Sequence, residues 1–331
     1  MGTSTSLILA LAVVPAGRAW TPFATRESRR LEPAFRIGNM RPVFEWNLGR
    51  RSLTLGKRTL VMGIVNVTPD SFSDGGEHFN SKDSVAHALK LLDEGADIVD
   101  IGGESTRPGA KVGEKNASVT AEEELRRVLP VVAEIKRERV SAVVSIDTYK
   151  GKVARAAVEA GAEIVNDVSG LQWDPEMKKA LAAMSCGVVL MHTRGRPDEW
   201  KSLSPVADPV VLVKRELREG SAAAVLAGIK RDRIVLDPGF GFGKRLEENY
   251  PLLKCFPEFH ELRYPLLAGV SRKSFIGWAL ARNGKDAAIG KRLFGTLGAE
   301  IALALKGAHI IRTHDVRACA DALRLADVAA N

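Results

Sequence analysis

The chain has 331 residues, 45% of them hydrophobic and 27% charged, a balance that can bury one large core and excludes a low-complexity or disordered protein. Its formal charge of +8 is unevenly placed: residues 1–58 hold ten Lys/Arg against three Asp/Glu, so +7 lies there and the remainder is almost neutral, which argues against a nucleic-acid surface. Cys186, Cys255 and Cys319 are odd in number and form no C-x-x-C pair, so reduced thiols in a cytoplasmic protein are expected rather than disulfides or structural zinc.

In chain order, the first apolar stretch is "LILALAVVPAGRAW", Leu7 to Trp20. It has the length of a signal-peptide core, but nothing basic precedes it, and no run in the chain approaches the ~20 apolar residues that would cross a bilayer, so no membrane partner is expected. Residues 1–39 show neither a helical nor a strand period. They are expected to be an extension outside the fold, either disordered or an over-long start with Met40 as initiator, leaving 40–331 as the folded domain.

From Leu60 onward short apolar, β-branched runs alternate with longer amphipathic stretches, the pattern of parallel strands joined by helices. The strand candidates are "TLVMGIVN", "DIVDIGGES", "AVVSID", "AEIVND", "GVVLMH", "RIVLD", "PLLAGVSRK" and "AHIIRTH". Between them lie helical segments such as "SKDSVAHALKLLDEGA", "TAEEELRRVLPVVAEIKRE", "YKGKVARAAVEAGA", "PVVLVKRELREGSAAAVLAGI" and "GTLGAEIALALKGA". Eight such units in about 270 residues match a single-domain α/β fold of the (β/α)8 TIM-barrel class. An open, doubly wound sheet would gather ligands at one switch point. Here every run ends at its carboxyl side in a residue able to do chemistry: Asn66, Glu104, Asp147, Asn166 with Asp167, His192, Asp237, Ser271 with Lys273, and Arg312 with His314. A barrel brings all eight ends to one mouth.

These ends suggest a ligand class. Asp147, Asn166 and Asp237 could grip the edge of a flat, N–H-rich ring, and Lys273 could neutralise them or donate to the same ligand. Arg312 and His314 are two apart, on one face of an extended strand, and suit an anion. The loops "NVTPDSFSDGG" and "ESTRPGAKVGE" read as active-site covers, and Asn66 offers Mg²⁺ a hard oxygen. "LDPGFGFGK" looks like a phosphate cradle, yet Pro238 and Arg245 stand where that pattern needs Gly and a hydroxyl residue.

In order, "MGIVNVTPDSFSDGG", "GADIVDIGGESTRPGA", "SIDTYK", "IVNDVSG", "LMHTRGRP", "LDPGFGFGK", "GVSRKSFIG" and "IIRTHDV" resemble the signature segments of the dihydropteroate synthase family, over about Leu60 to Val316. That resemblance implies a (β/α)8 barrel that joins 6-hydroxymethyl-7,8-dihydropterin diphosphate to p-aminobenzoate, with Mg²⁺, and releases pyrophosphate. It implies a pterin pocket of Asp147, Asn166, Met191, Asp237, Gly269 and Lys273. The diphosphate would meet Asn66, Arg107, Arg312 and His314, with Asn66 on the metal. p-Aminobenzoate, which sulfonamides mimic, would meet Phe72, Thr106, Arg107, Pro108, Gly241, Phe242, Ser271, Arg272 and Lys273. Asp147, Asp237, Lys273, Arg312 and Asp74 would serve the reaction, and the protein would be a homodimer. Thr193 and Thr313 depart from the family's usual Met and Val. The alternatives that share the fold are a pterin-dependent methyltransferase domain and a non-catalytic folate-binding barrel.

Overall fold

The structure, a computed structural model, describes residues 41–67, 81–106, 110, 112 and 119–330. Residues 1–39 and, of the expected site, Phe72, Asp74, Arg107 and Pro108 lie outside the described residues.

The first element is one that the sequence pattern did not announce. β1 (Phe44–Asn47) and β2 (Ser52–Leu55) form an antiparallel hairpin apart from the main sheet. Eight parallel strands follow: β3 (Leu60–Asn66), β4 (Ile98–Gly102), β5 (Val143–Asp147), β6 (Ile164–Asp167), β7 (Gly187–Met191), β8 (Ile234–Asp237), β9 (Leu267–Ala268) and β10 (Ile310–Thr313). They pair in the order β8-β7-β6-β5-β4-β3-β10-β9. The ring closes where Leu236 pairs with Leu266 and the Leu236 N–H donates to the Pro265 carbonyl at 3.0 Å. Each strand falls inside one of the eight expected runs.

The helices are α1 (Ser81–Asp93), α2 (Ala121–Glu138), α3 (Gly151–Glu159), α4 (Met177–Ala183), α5 (Pro209–Leu226), α6 (Asn249–Lys254), α7 (Ser274–Ala279), α8 (Leu293–Leu305) and α9 (Val316–Ala330). Local chemistry sets their starts. The Thr120 hydroxyl accepts from the Glu123 N–H at 3.1 Å, and three glutamates follow in the positive first turn of α2. Asp208 caps α5 by accepting from Val210 and Val211, with Pro209 in the first turn where its missing N–H costs nothing.

Side-chain alternation along the strands separates two apolar regions. Val99, Ile101, Val144, Ile146, Val165, Val188, Leu190 and Leu236 face the helices and join their buried residues in the larger core. Leu60, Met62, Ile98, Val143, Ile164, Val189, Val235, Leu267 and Ile310, at least one from each barrel strand, pack together inside the barrel at its amino-terminal end. The hairpin stoppers that end: Trp46, Leu48 and Leu55 belong to the same cluster. Trp46 is fully buried and its indole N–H donates to the Arg233 carbonyl at 2.8 Å. The fit is close enough to require glycine at 187, where a Cβ would lie 2.5 Å from Leu48. Arg51, bound to the Glu163 carboxylate at 2.6 and 2.8 Å, fastens the hairpin from outside.

Candidate active site

Two residues beyond the inner apolar layer, the same inward face of the strands turns polar. Ile98 is followed by Asp100, Val143 by Ser145 and Asp147, Ile164 by Asn166, Val235 by Asp237, and Ile310 by Arg312. The strand register continues the row: Asn66 pairs with Gly102, Gly102 with Asp147, and Asp147 with Asn166. A polar floor thus lies directly on an apolar stopper.

Arg312 organises that floor. Its Nε donates to Asp100 Oδ2 and an Nη to Asp147 Oδ2, both at 2.6 Å, and the Asn166 amide donates to the same Asp100 oxygen at 3.0 Å. The stem of Arg312 passes Gly269, where a Cβ would stand 3.7 Å from it. Burial raises the acid of Asp147 above the usual carboxylate range; Arg312 opposes the rise and Asp100 adds to it. Asp237 is raised by burial as well and opposed chiefly by Lys273. Burial lowers Lys273 to about 8 against the pull of Asp237. Two buried acids and a weakened base in one concave mouth are what a recognition site for a polar heterocycle needs.

The "LDPGFGFGK" loop is not a phosphate cradle. Lys244 turns inward, donating to the Gly239 carbonyl at 2.7 Å and the Phe242 carbonyl at 3.1 Å. Gly239 has φ +66°, and a Cβ there would fall 1.9 Å from the His192 carbonyl oxygen, so the turn is open only to glycine. The Asp237 carboxylate accepts from the Gly239 N–H at 2.7 Å, so the loop holds its own acid in place. Phe242 packs edge-on against Trp200 and lies under the Lys273 ammonium, 4.6 Å from the ring centre. Lys273 also donates to the Phe240 carbonyl, and the Gly241 N–H donates to Asn249. Met191 closes an apolar wall with Val112, Tyr149, Val168 and Trp173, with Phe242 against it.

At the β10 end the Ser271 hydroxyl contacts the His314 N–H at 3.1 Å, His314 Nδ1 at 3.0 Å and the Thr313 hydroxyl at 3.3 Å. Arg272 is turned to Asp315, Nε to Oδ2 at 2.9 Å. Three polar strand ends leave the mouth for structural partners. Glu104 binds Lys150 at 2.7 Å, with Glu124 on the other side of that ammonium. Asp167 caps its own loop through the Ser169 and Leu171 N–H groups, and His192 contacts Glu216 of α5 at 2.9 Å. A concavity of about 290 Å³ lies beside the hairpin, lined in part by Arg231, which stacks on Tyr264 at 3.8 Å, and Asp232, which accepts from Asn47.

Residues 62–314 match the model of the pterin-binding enzyme family. The Escherichia coli dihydropteroate synthase is 45% identical over 267 residues, 81% of this chain and 90% of that one. The chain belongs to the dihydropteroate synthase family. The solved Xanthomonas albilineans dihydropteroate synthase with 4-aminobenzoic acid superposes with a TM-score of 0.76 at 44% identity, covering 86% of this chain and 97% of that one. The same enzyme in complex with 7,8-dihydropteroate gives 0.70 at 43% identity over 82% and 94%.

Of the residues that the resemblance to this family proposed for the site, the structure brings Asp147, Asn166, Gly269 and Arg312 together, sets Lys273 beside Asp237, Gly241 and Phe242, and pairs Met191 with Asp237 across β7 and β8 in the apolar wall that Phe242 packs against. Ser271 and His314 stand together at the β10 rim, and Asn66 and the half-buried Thr106 at the ends of β3 and the loop after β4. The sequence reading missed Asp100, fully buried and paired to Arg312. Its signal was its place two residues before Gly102 in "DIVDIGGES", on the inward face of the strand.

Proposed function

We propose that this protein condenses 6-hydroxymethyl-7,8-dihydropterin diphosphate with p-aminobenzoate to give 7,8-dihydropteroate and pyrophosphate, a step of folate biosynthesis. The observation that carries the reading is the polar floor of Asp100, Asp147, Asn166, Asp237, Lys273 and Arg312 set on an apolar stopper. Such a floor can pair with the amino-pyrimidine edge of a pterin at the blind end of the mouth while Met191 covers a ring face.

The chemistry needs no strong base. An arylamine nitrogen is neutral at physiological pH and carries a free lone pair. Carbon–oxygen cleavage at the exocyclic methylene frees pyrophosphate, the amine forms the new carbon–nitrogen bond, and its proton passes to water or to the departing pyrophosphate. The developing positive charge on the methylene is shared by the pterin ring, and Asp147 and Asp237 stabilise it by field as well as by hydrogen bonding. Arg312 and His314 are assigned to the diphosphate, with Ser271, Arg272, Gly241, Phe242 and Thr106 nearer the p-aminobenzoate.

Among the described residues no group of three or more His, Cys, Asp or Glu could cage a metal. The exposed Asn66 at the end of β3 fits the other way of holding Mg²⁺, one protein oxygen with the rest from phosphate and water. The ion, when bound, would offset charge on the diphosphate. The reading also includes a cytoplasmic homodimer. Among the described residues no helix is long and apolar enough to cross a membrane, and α8 and α9 leave Phe294, Leu305, Leu325 and Val328 exposed. The test is pyrophosphate release by the purified full chain. Release that requires both substrates supports the proposal; release that is indifferent to p-aminobenzoate refutes it.

A further inference from the structure

Beneath the Arg312 network two buried polar atoms are left over. Arg312 Nε and the Asn166 amide both donate to Asp100 Oδ2, at 2.6 and 3.0 Å, while Asp100 Oδ1 has no hydrogen-bond partner among the described residues. Ser145 Oγ has none either, and both residues are fully buried. The two are register partners. Asp100 on β4 lies opposite Ser145 on β5, one inward pair beyond Ile98 and Val143 of the apolar stopper and one before Gly102 and Asp147.

Burying an acceptor with nothing to accept from gives up its hydration without replacement, and buried polar groups are almost always satisfied by protein or by internal water. The chemistry of the pair selects what would satisfy it. The Asp100 carboxylate, paired to Arg312, can only accept; the Ser145 hydroxyl can donate and accept; and the two are not bonded to each other. A cation is disfavoured, because Arg312 already supplies the positive charge at Asp100. An apolar group would leave both atoms as they are. A water molecule answers both, giving one hydrogen to Asp100 Oδ1 and either a hydrogen or a lone pair to Ser145 Oγ. Gly102, the next inward position on β4, leaves space by carrying no side chain: a Cβ there would have Asp147 as its nearest neighbour, at 3.6 Å.

We propose that Asp100 Oδ1 and Ser145 Oγ are the two protein ends of a buried water site between the apolar stopper and the polar floor, and that Ser145 acts through it as a positioning residue. A water on Oδ1 fixes the plane of the Asp100 carboxylate, and with it the directions in which Oδ2 receives Arg312 and Asn166. The importance of those directions for a pterin rests on the function proposed above; the water itself does not.

The experiment is a crystal structure of the full chain without substrate, at a resolution that places individual waters, repeated with the pterin diphosphate bound. The expected result is one enclosed water within ~2.5–3.0 Å of both atoms, present in both structures. Ser145 bonded directly to Asp100, a site without water, or the water replaced by a pterin N–H overturns the proposal. If the pterin does not bind, the substrate-free structure still decides the water, and only the functional reading fails. Ser145→Thr and Ser145→Val, nearly equal in size and different in the hydroxyl, read the positioning role. The threonine variant should keep the water and the valine variant lose it, and calorimetry should show the valine variant binding the pterin diphosphate roughly 2- to 10-fold more weakly than the threonine variant, the worth of one hydrogen bond. Equal affinities would overturn the positioning role. Should Ser145→Val fail to fold, Ser145→Ala, which removes the hydroxyl without adding bulk, is compared with wild type by the same measurement.

Discussion

Asp237 is held by its own loop through the Gly239 N–H, and the carboxylate oxygen not used there is the natural partner for a ring N–H. A hydrogen bond involving a charged group contributes ~1.5–3 kcal/mol, roughly 10- to 150-fold in affinity. Asp237→Ala should weaken binding of the pterin diphosphate by about that factor in calorimetry, and an unchanged affinity would remove Asp237 from the pocket. Arg312 has a second duty that the sequence did not reveal. Assigned by position to an anion, it also pairs with Asp100 and Asp147, so Arg312→Ala removes the ion-pair partner of two buried carboxylates. Breaking such a pair costs about 3–5 kcal/mol. Since burial already raises Asp147 and Arg312 restrains it, Asp147 in the variant should protonate readily as pH falls. Urea unfolding should therefore show the large loss at pH 8 and a clearly smaller one at pH 5; equal losses would disprove the account. Single residues at strand ends were legible because polarity breaks an apolar run there. Asp100 and Glu300 were not, because one lies inside a strand and the other inside a nearly all-apolar helix, where only the packing partner explains a charge.

Among elements, the eight barrel strands were readable because nearly all are short, largely apolar runs rich in Val and Ile, a consequence of burial on both faces. The β1–β2 hairpin was not, since its eight strand residues mix Trp46 and Leu55 with Glu45, Asn47 and Ser52 and follow a basic segment without period. Its value appears only when Trp46 joins a buried cluster to which all eight distant strands contribute. Trp46→Ala should cost ~3–5 kcal/mol, measured as a lower urea midpoint, while affinity for the pterin diphosphate in the folded fraction stays within a few-fold; a variant as stable as wild type would show that the stopper is dispensable. On α8, Glu300 gives a pH signature. Its acid is raised from 4.5 to about 7 by burial, so the folded state keeps a proton that the unfolded chain releases. That contribution is complete below pH 4.5 and is lost as pH rises to about 7, at about 1.4 kcal/mol per pH unit in between. In Glu300→Leu the decline over that window should be shallower than in wild type, as read by unfolding at half-unit steps.

At the scale of the whole molecule, α8 and α9 leave Phe294 84% and Leu325 71% exposed, apolar surface that a second copy of the chain would remove from water in the proposed dimer. Sedimentation should give a dimer mass, and Phe294→Glu with Leu325→Glu should halve it; a monomeric wild type would refute that part of the reading. The stoppered amino-terminal end of the barrel has a kinetic corollary. With Trp46 and its neighbours filling the amino-terminal end, a ligand on the polar floor would arrive and depart at the carboxyl ends of the strands. Whatever occupies the acidic floor has to go in ahead of its reaction partner, and a joined product must vacate as one piece before the next pterin can reach Asp237.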